Sequence, residues 1–293
     1  MSMQECKANR GHLMQHWTLC EALAALFGVM TDKDALLLFI DGHAMKPYSR
    51  FTVEDEWFGR VRGNLPGQNS RYEQAWHQLV PDNETLYPSS AVFAEQVWGG
   101  RLAYLLCEQD VGRAGACREW LQSQEDANRT VAIETYPADW RQRFERFAKF
   151  PLTRLKRDKA TIKEVDPTAI YVSFDPNMVS GHRGVGKRNV YNMYPEDMDK
   201  IWIALQPLEH RPAILQIATY SAQDDNDQDH VEQCLTRGCP AGWRGPVVTR
   251  TGNDMMCLLF WSNAAAEITL EPLSAQFTEW ARGGKKGGKK GRH

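Results

Sequence analysis

The stretch Ala-Ile-Tyr-Val-Ser-Phe-Asp-Pro-Asn-Met, residues 169–178, decides the fold because it is a short apolar run that ends on an acid and a turn. Apolar runs of this length, bounded by turn residues, are typical of strands that are buried on both faces. The same pattern recurs along the chain. It predicts seven strands, at 36–41, 102–108, 130–134, 169–175, 213–220, 246–250 and 255–262.

Helix-length segments separate most of these strands, and they lie at 15–29, 89–98, 111–122, 138–147, 195–205 and 227–237. Alternating strands and helices favour parallel βαβ units with helices on both faces of a sheet. Only Thr-Gly-Asn-Asp, residues 251–254, separates the last two strands, which predicts an antiparallel hairpin. We therefore expect a single α/β domain over residues 1–282, with a mostly parallel seven-stranded sheet and a C-terminal antiparallel hairpin.

Composition places the chain among ordinary globular proteins, with 42% hydrophobic and 25% charged residues. No apolar run is long enough to span a bilayer, and the first residues lack a signal-peptide pattern. Seven scattered cysteines favour reduced thiols, so a cytoplasmic protein without a membrane partner is expected. Residues 283–293 form a basic Gly-Lys tail that is predicted to be disordered. Residues 45–87, rich in proline and glycine, are predicted to be an insertion over the site.

Several strings, in this order, resemble the three-Cys-motif partner family within the Rossmann-like S-adenosylmethionine-dependent methyltransferase superfamily. Leu-Leu-Phe-Ile-Asp-Gly-His-Ala at 37–44 is similar to its first strand and loop, and Tyr-Leu-Leu-Cys-Glu-Gln-Asp at 104–110 to its second strand. Tyr-Pro-Ser-Ser-Ala at 87–91 resembles its Gly-Ser-Pro helix start, and Met-Cys-Leu-Leu-Phe-Trp-Ser at 256–262 its last strand. The resemblance implies a Rossmann-like methyltransferase fold that binds S-adenosylmethionine. The main departure is Met45-Lys46-Pro47, which replaces the family's Gly-Pro-Gly.

Acids stand at or just past the ends of four predicted strands: Asp41, Glu108, Glu134 and Asp175. In open parallel sheets, ligands bind beyond the carboxyl ends of the strands, where the strand order reverses. By this placement and the resemblance, Glu108 binds the cofactor ribose, and Asp41, Gly42 and His43 line the methionine end. Glu134 or Tyr136 lines the adenine. The alternative is that each acid caps the helix that follows it.

The string Asp-Pro-Asn-Met at 175–178 resembles the Asp-Pro-Pro-Tyr motif of amino-group methyltransferases. In that motif, the carboxylate and a backbone carbonyl accept hydrogen bonds from the target amine and orient its lone pair. We therefore assign Asp175, Pro176 and Asn177 to the catalytic site. An ordinary strand end with an Asx turn is the alternative.

Two basic segments indicate a nucleic-acid partner. Residues 181–188 nearly match a P-loop, but Arg188 stands where Ser or Thr would hold Mg²⁺, so we expect a mobile basic loop that uses Arg183, Lys187 and Arg188. Residues 141–163 carry nine cations against two acids. Arg154, Lys156 and Arg157 are the candidate contacts there. The phenylalanines at 144, 147 and 150 stack bases or, at this spacing, face the core.

No metal site is predicted, because His230, Cys234, Cys239 and Cys257 match no standard zinc spacing, and Cys257 lies in an apolar strand. The first hypothesis is therefore a transferase that methylates a nucleobase amine of DNA or RNA. The second is a methyltransferase-fold enzyme without methyl transfer that acts on a modified nucleotide or DNA base. The third is a non-catalytic module that binds nucleic acid or a protein partner.

Overall fold

Strand β1 (Leu36–Asp41) lies at the centre of the main sheet because its apolar side chains are buried on both faces. The computed structural model describes residues 10–50, 70–81, 86–123, 129–157, 160–176, 192–220, 225–251 and 255–283. Within these residues, the strands of the main sheet are β1, β4 (Arg101–Cys107), β5 (Thr130–Tyr136), β8 (Ala169–Phe174), β9 (Ala213–Tyr220), β10 (Trp243–Thr251) and β11 (Met255–Ser262).

The strand order is β10-β11-β9-β8-β1-β4-β5. Strands β5, β4, β1, β8 and β9 are parallel, and β11 is antiparallel to both β9 and β10. This is the Rossmann-like methyltransferase fold, with a mostly parallel seven-stranded sheet and a C-terminal antiparallel hairpin, as the sequence predicts. The predicted bounds of β1, β9 and β11 coincide with the structure.

Helices cover both faces of the sheet, as βαβ connections require. They are α1 (Arg10–Gly28), α2 (Arg71–Leu79), α3 (Ser90–Val97), α4 (Val111–Ser123), α5 (Trp140–Glu145), α6 (Pro195–Leu205), α7 (Asp225–Thr236) and α8 (Glu271–Gly283). One core contains Leu37 and Phe39 of β1 together with side chains of α1, α2, α3, α4 and α8. The other contains Leu38 and Ile40 with side chains of α5, α6 and α7. The alternation along β1 therefore divides the protein into two cores.

The predicted insertion at 45–87 contains regular structure that the sequence analysis did not predict. Strands β2 (Tyr48–Arg50) and β3 (Leu86–Pro88) pair antiparallel, and α2 lies between them in the chain. Helix α2 begins at a side-chain cap, because the Oγ atom of Ser70 accepts a hydrogen bond from the backbone N–H of Glu73, at 3.0 Å. The buried rings of Tyr72 and Trp76 then pack it against α1 and α3.

A second, two-stranded sheet lies beside β5 at the edge of the main sheet. Its strands are β6 (Arg154–Lys156) and β7 (Ile162–Glu164), which pair antiparallel. The backbone N–H of Lys156 donates to Glu134 of β5, at 2.8 Å, and the Nζ of Lys163 donates to the carbonyl of Val131, at 2.6 Å. This hairpin therefore covers an edge strand that would otherwise be exposed.

Candidate functional site

The strand order reverses on the two sides of β1, which makes the carboxyl end of β1 the expected place for a ligand. Asp41 is the last residue of β1. In the parallel register, Asp41 lies opposite Leu106 of β4 and Ser173 of β8, so Glu108 and Asp175 each follow two residues later. The structure therefore brings three of the four predicted acids to one edge of the sheet.

The turn after β1 connects two of these acids. The backbone N–H of His43 donates to the Oδ1 of Asp41, at 3.0 Å, and the backbone N–H of Asp175 donates to the Nδ1 of His43, at 3.3 Å. His43 thus contacts both acids, and its ring proton is carried by Nε2. Gly42 donates its N–H to the carbonyl of Ser173, at 2.9 Å, and a Cβ atom there would come within 2.3 Å of the Phe174 ring. The glycine therefore permits the close approach of β1 and β8.

A small cavity of about 30 Å³ lies beside this turn. Its lining includes Asp41, His43 and Asp175, residues 45 and 46 of the following loop, three residues of α1, and part of the segment from Tyr87 to Ser90. This volume holds about one water molecule and is far below that of a typical ligand pocket. Met45 and Lys46, in the loop that follows this turn, border the cavity.

Burial changes the acid–base properties of this cluster. It raises the pKa of Asp41 to about 7. The hydrogen bond from the His43 backbone lowers this pKa, and the negative charge of Glu108 raises it further. Burial, and then the negative charge of Asp41, raise the pKa of Asp175 to about 7. Burial, followed by the positive charge of Arg141, lowers the pKa of His43 to about 3. At neutral pH the imidazole is therefore neutral, while the two carboxyls are close to their titration midpoints.

Glu108 follows β4 and remains partly accessible. One carboxylate oxygen accepts a hydrogen bond from the N–H of Asp110, at 2.8 Å, and the other lies 3.9 Å from Arg113. Burial raises its pKa. The carbonyl of Tyr136, at the end of β5, accepts a hydrogen bond from the N–H of Glu108, at 3.1 Å, which places the two predicted cofactor contacts side by side.

Glu134 does not belong to this cluster, and this corrects its assignment to the adenine. It is 3% exposed, and Arg143 of α5, which is 2% exposed, donates its Nε to Glu134 Oε1 at 3.3 Å. The backbone N–H of Lys156 donates a hydrogen bond to the other carboxylate oxygen, Oε2. Because β5 continues to Tyr136, Glu134 lies inside the strand, and its carboxylate faces α5 instead of the sheet edge.

Asp175 and Pro176 follow β8 as predicted, whereas Asn177 and residues 181–188, with Arg183, Lys187 and Arg188, lie outside the described residues. The described residues resume at Asn192, and Arg141 binds this segment. Arg141 donates to the carbonyl of Asn192 and, at 2.8 Å, to the carboxylate of Asp197. The residue pair Trp140 and Phe174, with ring centroids 4.6 Å apart, packs beneath the Asp175 strand end.

The basic run at 141–163 divides into paired and exposed cations. Arg141 pairs with Asp139 and Asp197, and Arg143 with Glu134. Arg154 lies 5.3 Å from the centroid of the Phe150 ring, and Phe150 packs the turn at 146–150 against the β6–β7 hairpin. Among the described cations of this run, five more are exposed. Lys163 donates to the carbonyl of Val131, and we call the other four the cationic surface: Arg146, Lys149, Lys156 and Arg157. Phe144 is buried in the core and does not stack bases.

Sequence analysis missed the contribution of α1. His12, Gln15 and His16 line the cavity, and they lie at helical positions i, i+3 and i+4 on a helix that is mostly apolar. The Nδ1 of His16 is 2.7 Å from the hydroxyl of Tyr87, and its Nε2 is 3.1 Å from that of Ser90. Polar residues on one face of an apolar helix were the available signal.

The cysteines and the histidine that the sequence analysis considered as metal ligands lie on different elements. His230 and Cys234 lie 3.5 Å apart on α7, while Cys257 is buried within β11. Across the described ranges, no group of three or more His, Cys, Asp or Glu side chains is arranged to hold a metal ion. Among the helices described, none has the length and apolar character needed to cross a membrane.

Comparisons with known proteins show relationships at the level of structure. No protein-family model and no curated protein sequence matches the chain. Among solved structures, protein LPL1258 from Legionella pneumophila, of family DUF519, superposes with a TM-score of 0.55 at 16% identity and covers 94% of both chains. The N-terminal domain of human METTL16 in complex with SAH matches with a TM-score of 0.39 at 11% identity, over 82% of this chain and 66% of that one. The human METTL16 catalytic domain with a MAT2A 3′UTR hairpin gives a TM-score of 0.41 at 9% identity, over 92% and 76%. The likeness to the Legionella protein shows a shared fold. The resemblance to the three-Cys-motif partner family stays a prediction.

Proposed function

We propose that this protein is an S-adenosylmethionine-dependent methyltransferase that acts on a nucleobase amine of DNA or RNA. The observation that carries the proposal is the meeting of Asp41, Glu108 and Asp175 at the switch point of a methyltransferase-fold sheet. Asp41 is buried and Asp175 half-buried beside one cavity, and both have raised pKa values, as is common for groups at functional sites.

The residues at this edge of the sheet suit the cofactor. Glu108 is placed to accept hydrogen bonds from ribose hydroxyls, as the acid after the second strand does in nucleotide-binding folds. Tyr136, beside it, is proposed for the adenine, and Asp41, Gly42 and His43 for the methionine end. The carboxylates of Asp41 and Asp175 place negative charge at the cavity, and a cofactor that carries a positively charged sulfur and an ammonium group would compensate it. When bound, the cofactor supplies an electrophilic methyl group.

The residues of the chain position the target amine. The carboxylate of Asp175 and the carbonyl of Pro176 accept hydrogen bonds from the amine, which directs its lone pair, and Asn177 is proposed to assist. The hydrogen bond that the Asp175 backbone N–H donates to the Nδ1 of His43 keeps the Asp175 backbone fixed to the turn after β1. The neutral His43 ring leaves the acids as the groups that titrate near neutral pH at this turn.

The size of the cavity supports the second candidate, a methyltransferase-fold enzyme that acts on a modified nucleotide without methyl transfer. About 30 Å³ does not hold the methionine end of the cofactor unless the side chains of Met45 and Lys46 move. The two candidates share the fold and the acidic edge, and they differ in cofactor binding alone.

Calorimetric titration with S-adenosylmethionine tests the proposal. We expect binding to the wild type, tighter binding to Met45→Ala because the shorter side chain enlarges the cavity, and roughly 10- to 100-fold weaker binding to Glu108→Ala, which loses charge-assisted hydrogen bonds. Glu119→Ala, an exposed acid on α4, is the matched control and should bind like the wild type. No binding at millimolar cofactor, in the wild type and in Met45→Ala, would contradict methyl transfer and favour the second candidate.

Nucleic-acid binding is proposed to use Lys156 and Arg157 of the cationic surface, with Arg154 holding the Phe150 turn in place. Within the part of the chain that the structure describes, these two exposed cations form no ion pair, so they are available to phosphates. The loop residues Arg183, Lys187 and Arg188 are proposed as further contacts.

Fluorescence anisotropy with a labelled oligonucleotide at several salt concentrations tests this surface. The double variant Lys156→Gln/Arg157→Gln is expected to weaken binding and to reduce the slope of log affinity against log salt by about 1 to 2. Lys33→Gln/Arg101→Gln removes the same charge from exposed positions at the amino ends of β1 and β4 and should leave the slope unchanged. Equal effects of the two double variants would show that the protein binds through its net charge alone.

A further inference from the structure

The turn after β1 fixes the relative position of Asp41 and Asp175. His43 receives a hydrogen bond from the backbone of Asp175 and donates its own N–H to the side chain of Asp41. The Phe174 ring lies so close to Gly42 that no side chain fits at position 42. The Asp41 carboxyl and the Asp175 backbone are therefore both fixed to this turn, and both residues line the same cavity.

The groups around this pair do not compete with it for protons near neutral pH. His12 and His16 of α1 line the cavity, and burial lowers the pKa of each. His43 is neutral for the same reason. Tyr87, from β3, is within hydrogen-bonding distance of His16, and Lys46 brings a positive charge to the lining. Glu108, from the end of β4, adds a negative charge that raises the pKa of Asp41. The pKa values of the two aspartates, both about 7, therefore allow this pair to bind or release a proton near neutral pH.

We propose that Asp41 and Asp175 act as a pair that shares one proton and accepts the proton lost by the target amine. This deepens the proposed function and rests on it. When the amine nitrogen uses its lone pair to form a bond to the methyl carbon, the electrons of the broken carbon–sulfur bond would stay with the sulfur of the cofactor, and the nitrogen would become positively charged. The Asp175 carboxylate then takes one N–H proton, the electrons of that bond return to nitrogen, and the product amine is neutral. Asp41 holds the proton with Asp175 until it leaves to solvent.

A shared proton has a signature that does not require cofactor or substrate. Two acids that interact strongly titrate in two steps that belong to the pair, and removal of one negative charge lowers the pKa of the other. If Asp41 and Asp175 were independent buried acids, each would keep its pKa when the other was replaced.

Carbon-13 NMR of protein labelled at the aspartate carboxyl carbons, titrated from pH 4 to 9 without ligand, tests the pair. In Asp41→Asn, the apparent pKa of Asp175 is expected to fall by about one unit, and in Asp175→Asn that of Asp41 is expected to fall likewise. The second variant gives the answer if the first does not fold. Asp34→Asn, which removes an exposed acid just before β1, should move neither signal.

The pH profile of methyl transfer gives the functional readout. The rate should rise with pH to a plateau, with its midpoint at the apparent pKa of the pair, because the carboxylate form accepts the proton. In Asp41→Asn the midpoint should move to lower pH by the shift that NMR reports. Unchanged titration of Asp175 in Asp41→Asn, or a midpoint that does not follow the NMR shift, would overturn the pair. Coupled titration in a protein without methyl transfer would instead contradict the proposed function and leave the coupling of the pair intact.

Discussion

Replacing Arg143 with alanine is expected to lower the free energy of unfolding by about 3–5 kcal/mol, because it leaves the buried carboxylate of Glu134 without its partner. Besides Glu134, Arg143 donates to three backbone carbonyls, of Phe150 at 2.8 Å, Pro151 at 3.2 Å and Arg154 at 2.9 Å. Its guanidinium also lies 4.7 Å from the centroid of the Phe150 ring. One side chain thus connects β5, the turn at 146–150 and the β6–β7 hairpin.

Denaturant unfolding at neutral pH measures this loss. Arg143→Lys should recover only part of the stability, because an ammonium group cannot reach four acceptors in the fork geometry of arginine. The exposed Arg146, one turn away, provides the matched control, and Arg146→Ala should change stability by less than about 0.5 kcal/mol. The double variant Arg143→Met/Glu134→Gln should be more stable than Arg143→Ala, since no buried charge remains unpaired. Equal stability of Arg143→Ala and the wild type would show that the hairpin does not depend on this network.

The main sheet could be predicted from the sequence because its strands are buried on both faces. Such strands appear as continuous apolar runs, and the ends of β1, β9 and β11 follow the ends of those runs. The acids Asp41, Glu108 and Asp175 could then be placed at one edge, since parallel strands present their carboxyl ends together.

Strand ends within polar segments were harder to predict, and Glu134 shows why. The apolar pattern of β5 weakens after Ile133, so the predicted strand ended at the acid at 134. Pairing with β4 continues the strand to Tyr136, and the partner of Glu134 is nine residues away on a helix. An ion pair formed by tertiary packing leaves no periodic signal in the sequence.

The helix α2 was hidden by its surroundings. Ser70 and Glu73 stand at capping positions, and Tyr72, Ala75 and Trp76 have helical spacing, yet prolines and glycines in the flanking segments indicated a loop. The role of α1 in the site depends on packing that spacing alone does not reveal. The carbonyl of Gln15 accepts a hydrogen bond from Gln216 of β9, at 2.8 Å, which holds α1 against the sheet beside the acids.

The second large effect is expected at Asp175, whose replacement by alanine should lower kcat/KM for methyl transfer by at least about 100-fold, because the target amine loses the group that orients it. Cofactor affinity should change far less, since Asp175 is assigned to the amine and Glu108 to the ribose. The matched control for removal of one acid is Asp34, which is exposed and lies before the amino end of β1, far from the carboxyl end of that strand.

Transfer of a labelled methyl group from S-adenosylmethionine to unmodified DNA and RNA tests the central claim most directly. Label should enter nucleic acid with the wild type and with Asp34→Ala, and it should be lost with Asp175→Ala. A wild-type protein that binds both cofactor and nucleic acid but transfers no label would contradict the claim, and so would transfer that Asp175→Ala leaves unchanged.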